Sequence, residues 1–99
     1  MEWLYAKGIP IEAQYLYRKA REMAGQGKDE SALKYYRQAL IIAPKYAKAL
    51  FEMGNSYARL DRYPEALDMY DRAIHLDPES DEIRKRKEDV LLLNEKSPE

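Results

Sequence analysis

His75, the single histidine of the chain, lies four residues after Asp71 and four before Glu79. On one helix face that i, i+4, i+8 spacing offers two carboxylates and an imidazole to a divalent cation. Pro78 interrupts the helix before the third ligand, and nothing supplies a buried outer shell to orient the imidazole. A surface role at a helix C-terminus, where a cation favours the helix dipole, is the expectation for His75. Ser31, Ser56, Ser80 and Ser97 have no histidine partner for nucleophilic chemistry, and Ser31 reads as a helix-start residue. Gly25-Gln26-Gly27-Lys28 has the composition of a phosphate cradle but lacks the spacing and the following hydroxyl, so it reads as a turn between helices. Arg84-Lys85-Arg86-Lys87 is the strongest charge run. On a helix it fans around the surface, and Asp81, Glu82, Glu88 and Asp89 bracket it, so nucleic acid is not an expected partner. With no cysteine there are no disulfides, thiolate metal sites or thiol nucleophiles. These residues assemble no active site: the expectation is a non-enzyme without cofactor or metal.

The elements that hold these residues are constrained by size and composition. A chain of 99 residues makes one small domain, with room for a modular helical stack but not for a two-domain enzyme. Seventeen basic and eighteen acidic side chains give a net charge of −1, so any electrostatic recognition must come from local patches. Threonine is absent and valine occurs once, at Val90, while Ala, Leu, Glu, Lys, Arg and Met abound. That balance favours helix over strand. No apolar run approaches the roughly 18 residues of a membrane span, and Met1-Glu2-Trp3-Leu4-Tyr5 lacks the basic and apolar segments of a secretory signal. A cytoplasmic protein without membrane insertion is expected.

The pattern repeats at an offset of 34 residues: Ala32 with Ala66, Leu33 with Leu67, Tyr36 with Tyr70, Ala39 with Ala73, Pro44 with Pro78. Upstream, Leu16 pairs with Leu50, Ala20 with Gly54 and Met23 with Tyr57. Each unit divides into two amphipathic helices. Leu16, Ala20 and Met23, or Leu50, Gly54 and Tyr57, form one stripe, and Ala32, Tyr36, Ala39 and Leu40, or Ala66, Tyr70, Ala73 and Ile74, form the other. Gly25 to Asp29 and Leu60 to Pro64 make the turns, and the prolines after Ala43 and Asp77 end the second helices. Small residues at 20, 32, 54 and 66 set how closely each hairpin closes.

Leu50, Gly54, Tyr57, Ala66, Tyr70, Ala73 and Pro78 fill the signature positions of the tetratricopeptide repeat family, which the chain resembles. Leu16, Ala20, Met23, Ala32, Tyr36, Ala39 and Pro44 fill them again. Lys19 departs from the pattern where the second repeat has Met53. The resemblance implies an all-α fold: two helix-turn-helix repeats, 11–44 and 45–78, stacked in a right-handed superhelix, plus a C-terminal capping helix at 79–94. Residues 1–10 are expected to form a short helical or irregular flap or the remnant of a preceding repeat, and 95–99 a disordered tail. The capping helix places Arg84, Lys87 and Glu88 where large, apolar and small residues belong, so it reads as a solvating end helix. Asp81–Lys85 and Glu82–Arg86 are expected as i, i+4 ion pairs, and two of the four residues Val90 to Leu93 are expected to point outward.

In this family the first helices line a concave face that holds a partner peptide or helix. Carried over, that register offers Tyr17, Arg18 and Arg21 from the first repeat, and Lys48, Phe51, Glu52, Asn55 and Arg59 from the second. Arg86 joins them from the end helix; Gln14, Ala24, Glu82, Lys85 and Asp89 fall on the same face. Tyr17 and Phe51 are expected as adjacent aromatic anchors, and Asn55 as a reader of peptide amides. Relatives that clamp the terminal aspartate of heat-shock chaperones use lysine and asparagine where Tyr17 and Arg21 stand, and asparagine in place of Glu52. That ligand is therefore not expected. A protein or peptide adaptor is the leading functional expectation. The alternative is a scaffold that self-associates, in its simplest form as a homodimer, through the end helix or the N-terminal flap.

Overall fold

The computed structural model describes residues 4–5 and 8–96, with side chains from Gly8 onward. Five helices follow in order: α1 (Ile11–Gly25), α2 (Asp29–Ile42), α3 (Ala47–Arg59), α4 (Tyr63–Leu76) and α5 (Asp81–Lys96). Helices α1 and α2 form one antiparallel hairpin and α3 and α4 the next, with α5 lying along α4. Both hairpin turns use the same device. Gly27 (φ 80°) and Asp61 (φ 61°), 34 residues apart, take the left-handed conformation. The next amide then reaches back to cap the preceding helix, Lys28 N to Met23 O and Arg62 N to Tyr57 O, each at 2.9 Å. Pro44 and Pro78 follow directly on the non-helical residues Ala43 and Asp77 that close α2 and α4.

The N-terminal flap is neither helical nor irregular where it is described. Leu4–Tyr5 (β1) pairs antiparallel with Ile9–Pro10 (β2), Leu4 opposite Pro10 and Tyr5 opposite Ile9. Gly8, at φ 93°, supports the reversal, and extended Pro10 then opens α1. This two-residue ladder leaves the all-α class unchanged. The rest of the expected flap, residues 1–3 and 6–7, and the last three residues of the expected tail lie outside the described residues. At the other end α5 continues through Glu95 and Lys96.

Small side chains line the helix contacts, with Ala13, Ala20, Ala32, Ala39, Ala49, Ala66 and Ala73 fully buried. Gly54 is the tightest point. A methyl group there would lie 2.6 and 2.8 Å from two ring carbons of Tyr70 and 3.2 Å from the carbonyl oxygen of Ala66. Only glycine lets α4 and its tyrosine approach this closely.

A polar contact joins the two repeats. Asp29, the first residue of α2, is buried and accepts from Ser56 Oγ at 2.8 Å and from Arg59 Nε at 3.1 Å. Its place in the first turn also sets the carboxylate against the positive end of α2. Ser31, expected at that helix start, is the third residue of α2 instead, because Asp29 already opens the helix.

On α5, Ile83 and Val90 enter the core while Leu91, Leu92 and Leu93 stay exposed, three outward leucines where two were expected. The reason is that, among the described residues, α5 packs along α4 with no helix against its other side. Neither expected ion pair of its first turns is present among the described residues. Arg84 takes Asp81 at 3.0 Å, and Lys87 reaches across to Asp71 at 2.7 Å.

Candidate functional site

The face built from α1, α3 and α5 carries the residues expected to meet a partner, and packing sorts them into three groups. Tyr17, Arg21, Glu52, Asn55 and Arg86 form the centre. Tyr17 is half-buried, with its ring 5.1 Å from that of Tyr46 and 6.2 Å from that of Tyr36. The exposed guanidinium of Arg21 lies 5.9 Å from the Tyr17 ring centroid, a cation–π contact between successive turns of α1. Across α3, Asn55 Nδ2 donates to Glu52 Oε1 at 3.3 Å. Asn55 Oδ1 accepts from Tyr70 Oη at 2.5 Å and from Arg86 Nη1 at 3.4 Å. A polar line thus crosses from α3 to α5.

Phe51 and Arg59 leave this group. Phe51 is 7% exposed, and its ring sits 5.9 Å from Tyr70. It is not the second aromatic anchor expected beside Tyr17, because the adjacent α4 offers it an apolar pocket and burial of a phenyl ring outweighs display. Arg59 turns toward Asp29 and Ser56 at the repeat junction, so its charge is spent on a carboxylate within the chain. Asn55 stays at the centre in an altered role. It is buried and both ends of its amide are engaged, which corrects its assignment as a free reader of peptide amides.

Arg18 and Lys48 lie at the margins. Arg18 is exposed and acts electrostatically on the Tyr46 hydroxyl. Lys48 lines a cleft of about 440 Å³ at the α2–α3 loop with Ile9, Tyr46 and Leu76. Gln14 is tied down by a 2.9 Å bond to the Ile9 carbonyl, which fastens α1 to β2.

Burial pushes the Tyr17 hydroxyl above its ordinary pKa, with Glu52 adding to the shift and Arg21 opposing it. Tyr46 and Tyr70 are both pushed up to about 12, chiefly by burial. Tyr36 is raised as well, by burial first and then by Glu52 and Tyr17. These tyrosines remain protonated hydrogen-bonding groups at neutral pH, not nucleophiles or bases.

Two features of the site escaped sequence reasoning. Tyr36 and Tyr70 read as core residues, yet their hydroxyls lie under this face. A buried tyrosine must place its hydroxyl somewhere polar, and that requirement was the available signal. Asp29 showed no periodic partner at all. Among the described residues no group of three or more His, Cys, Asp or Glu is placed to hold a metal ion. Helix α4 ends at Leu76, ahead of Glu79. No helix among the described residues is long and apolar enough to cross a membrane.

Stacked helical hairpins with a polar first-helix face define a helical-repeat module for protein–protein interaction. The chain belongs to the tetratricopeptide repeat family: models of that repeat match residues 13–46 and 47–80. The human tetratricopeptide repeat protein 6 is 30% identical over 78 residues, covering 79% of this chain and 15% of that protein. The small glutamine-rich tetratricopeptide repeat-containing protein 2 of Mycosarcoma maydis is 30% identical over 84 residues, covering 82% of this chain and 24% of that protein. Among solved structures, MamA from residue 41 to its end, from Desulfovibrio magneticus RS-1, superposes with a TM-score of 0.80 at 25% identity. That match covers 86% of this chain and 48% of the MamA chain. The chain therefore spans less than half the length of these relatives.

Proposed function

We propose that the module is an adaptor that holds a segment of a partner protein, an extended peptide or a helix, across α1, α3 and α5. One observation carries this reading: Tyr17, Arg21, Glu52 and Arg86 form a partly exposed polar and aromatic line over the alternate helices α1, α3 and α5. Aromatic and arginine side chains are frequent anchors of binding energy, and here they rest on residues already fixed by packing. The mixed charges of Arg18, Arg21, Glu52, Glu82, Lys85 and Arg86 favour a segment with charges of both signs over a uniformly acidic polymer such as nucleic acid. The proposed setting is the cytoplasm, as expected from the sequence.

The test is affinity capture by the wild-type module and by Tyr17→Ala and Arg21→Ala, each shown by circular dichroism to keep its helices. The expected result is a set of proteins retained by wild type and lost from both variants. Retention by both folded variants overturns the proposal.

A second reading rests on the exposure of Leu91 (37%), Leu92 (57%) and Leu93 (48%) at the end of α5. In that reading the leucines meet a second copy of the chain and the protein self-associates. Sedimentation equilibrium up to high micromolar concentration decides it, since a constant monomer mass removes homo-oligomerisation.

A further inference from the structure

Tyr36 is fully buried, and its hydroxyl has no hydrogen-bond partner among the described residues. Buried polar groups in folded proteins are nearly always paired, so an orphan at a candidate site has a reason. The reason is visible one repeat further on. Tyr70, 34 residues later, donates to Asn55 Oδ1 at 2.5 Å. The position that corresponds to Asn55 in the first repeat is Arg21. A guanidinium has five donors and no acceptor, so it cannot replace the carboxamide oxygen. Where Arg86 approaches Asn55 in the second repeat, the first has Glu52, which is bonded to Asn55. The first repeat thus keeps the tyrosine but lacks the amide that completes the arrangement.

The ring that bears this hydroxyl packs 6.2 Å from that of Tyr17, a residue of the partner face. The charged and titratable groups that act on it are Glu52, Tyr17, Arg21 and Arg59, drawn from α1 and α3. Arg21 and Glu52 have opposite charges. A carboxylate entering between them meets repulsion from Glu52, and an ammonium group meets it from Arg21. A neutral dipole can turn its oxygen to Tyr36 and Arg21 and its N–H to Glu52. Because the hydroxyl is buried beneath the face, a group that projects from a bound segment reaches it and the segment's main chain does not. Entry requires the cover over the buried hydroxyl to open. Arg21 is exposed and rests on Tyr17 through a cation–π contact, so it is the residue placed to swing aside.

We propose that the first repeat receives the side-chain carboxamide of an asparagine or glutamine from the partner segment, supplying in trans the amide that Asn55 supplies in the second repeat. The proposal rests on the adaptor reading and adds the chemical identity of one anchor. The carboxamide oxygen accepts from Tyr36 Oη, and its nitrogen donates to Glu52.

The experiment has two arms. Without any partner, thermal unfolding is compared for Tyr36→Phe and Tyr70→Phe. Tyr70→Phe is expected to lower the Tm by a few degrees, while Tyr36→Phe leaves it unchanged or higher, since it removes an unpaired buried hydroxyl. An equal fall in both shows that Tyr36 already has an internal partner, such as Glu52 in another rotamer, and overturns the proposal. In the second arm, fluorescein-labelled dodecapeptides of alternating Gly and Ser, each with one central Asn, Gln, Asp, Leu or Lys, are titrated by polarisation. The Asn or Gln peptide is expected to bind about tenfold more tightly than the others, and Tyr36→Phe to erase that preference. A preference for Asp, a preference that survives Tyr36→Phe, or no binding of the Asn and Gln peptides overturns it. Equal binding of all five peptides that is lost in Tyr17→Ala removes the carboxamide anchor but leaves the adaptor reading standing.

Discussion

The two repeats share a backbone plan and differ at a few polar positions, and those positions separate their behaviour. In the second repeat Gly54 lets the Tyr70 ring lie against α3, and Asn55 receives its hydroxyl. In the first repeat Ala20 and Arg21 stand at the same places, and the Tyr36 hydroxyl is unpaired among the described residues. The junctions differ in the same way. Asp29, Ser56 and Arg59 join repeat to repeat by hydrogen bonds and an ion pair. Their counterparts 34 residues on are Tyr63, Val90 and Leu93: Val90 is buried and Tyr63 packs against the core, so the apolar pair takes the place of the ionic contact, while Leu93 stays exposed. A repeat protein can therefore hold its architecture constant while exchanging ionic for apolar contacts at equivalent sites. The second repeat is internally complete, and the first retains unspent polar capacity on the partner face.

Alkali acts on both repeats together and should have the largest effect. Burial raises Tyr36 of the first repeat above its ordinary pKa and pushes Tyr46 and Tyr70 up to about 12, against 10 for an unburied tyrosine. Below pH 10 both folded and unfolded chains are protonated and full stability is present. Between pH 10 and about 12 the unfolded chain loses protons first, so stability falls as pH rises through the folded values. Helical ellipticity and tyrosinate absorbance at 295 nm should change in one cooperative transition within that window. Tyrosinate titration near pH 10 with the helices retained contradicts it.

At the ionic junction, Asp29→Ala leaves Ser56 without its acceptor and Arg59 without its carboxylate, at an expected cost of about 2–3 kcal/mol in urea unfolding. A loss under about 0.5 kcal/mol would show the junction to be apolar in its energetics despite its hydrogen bonds.

Exchanging the small residues tests the closeness of the hairpins. Gly54→Ala should cost about 1–3 kcal/mol by forcing its methyl against Tyr70, since Ala66 O blocks the other direction. A gain in stability, as for an ordinary helical glycine replaced by alanine, would remove the close-approach account.

The smallest expected effect sharpens the comparison most. Arg21→Asn gives Tyr36 the residue that Tyr70 already has, and should raise stability by about 0.5–1.5 kcal/mol. Should the gain come only when Ala20→Gly is added, the methyl group, and not the missing amide, holds the two rings in different places.

Much of the fold was legible from the chain. Helices, turns and the hairpin pairing follow from apolar spacing and from prolines and small residues, all of which act over a few neighbours. The left-handed Asp61 at the position of Gly27 shows that this local code tolerates substitution where the backbone device is kept. The candidate face was legible in part. Tyr17, Arg21, Glu52 and Arg86 occupy it as expected from the repeat register, while Phe51 and Arg59 faced a choice between partner and protein that register does not resolve. Phe51 found Tyr70, and Arg59 found Asp29.

The sequence by itself determined the 34-residue repeat, the hairpins it encodes and the family they define, because each depends on residue type at fixed short spacing. Tertiary structure alone decided which polar groups meet. Tyr70 and Asn55, Arg86 and Asn55, and Arg59 and Asp29 are 15, 31 and 30 residues apart, on different helices. Whether they touch depends on ångström-scale helix separation and side-chain reach. The same separations leave the Tyr36 hydroxyl without a partner among the described residues.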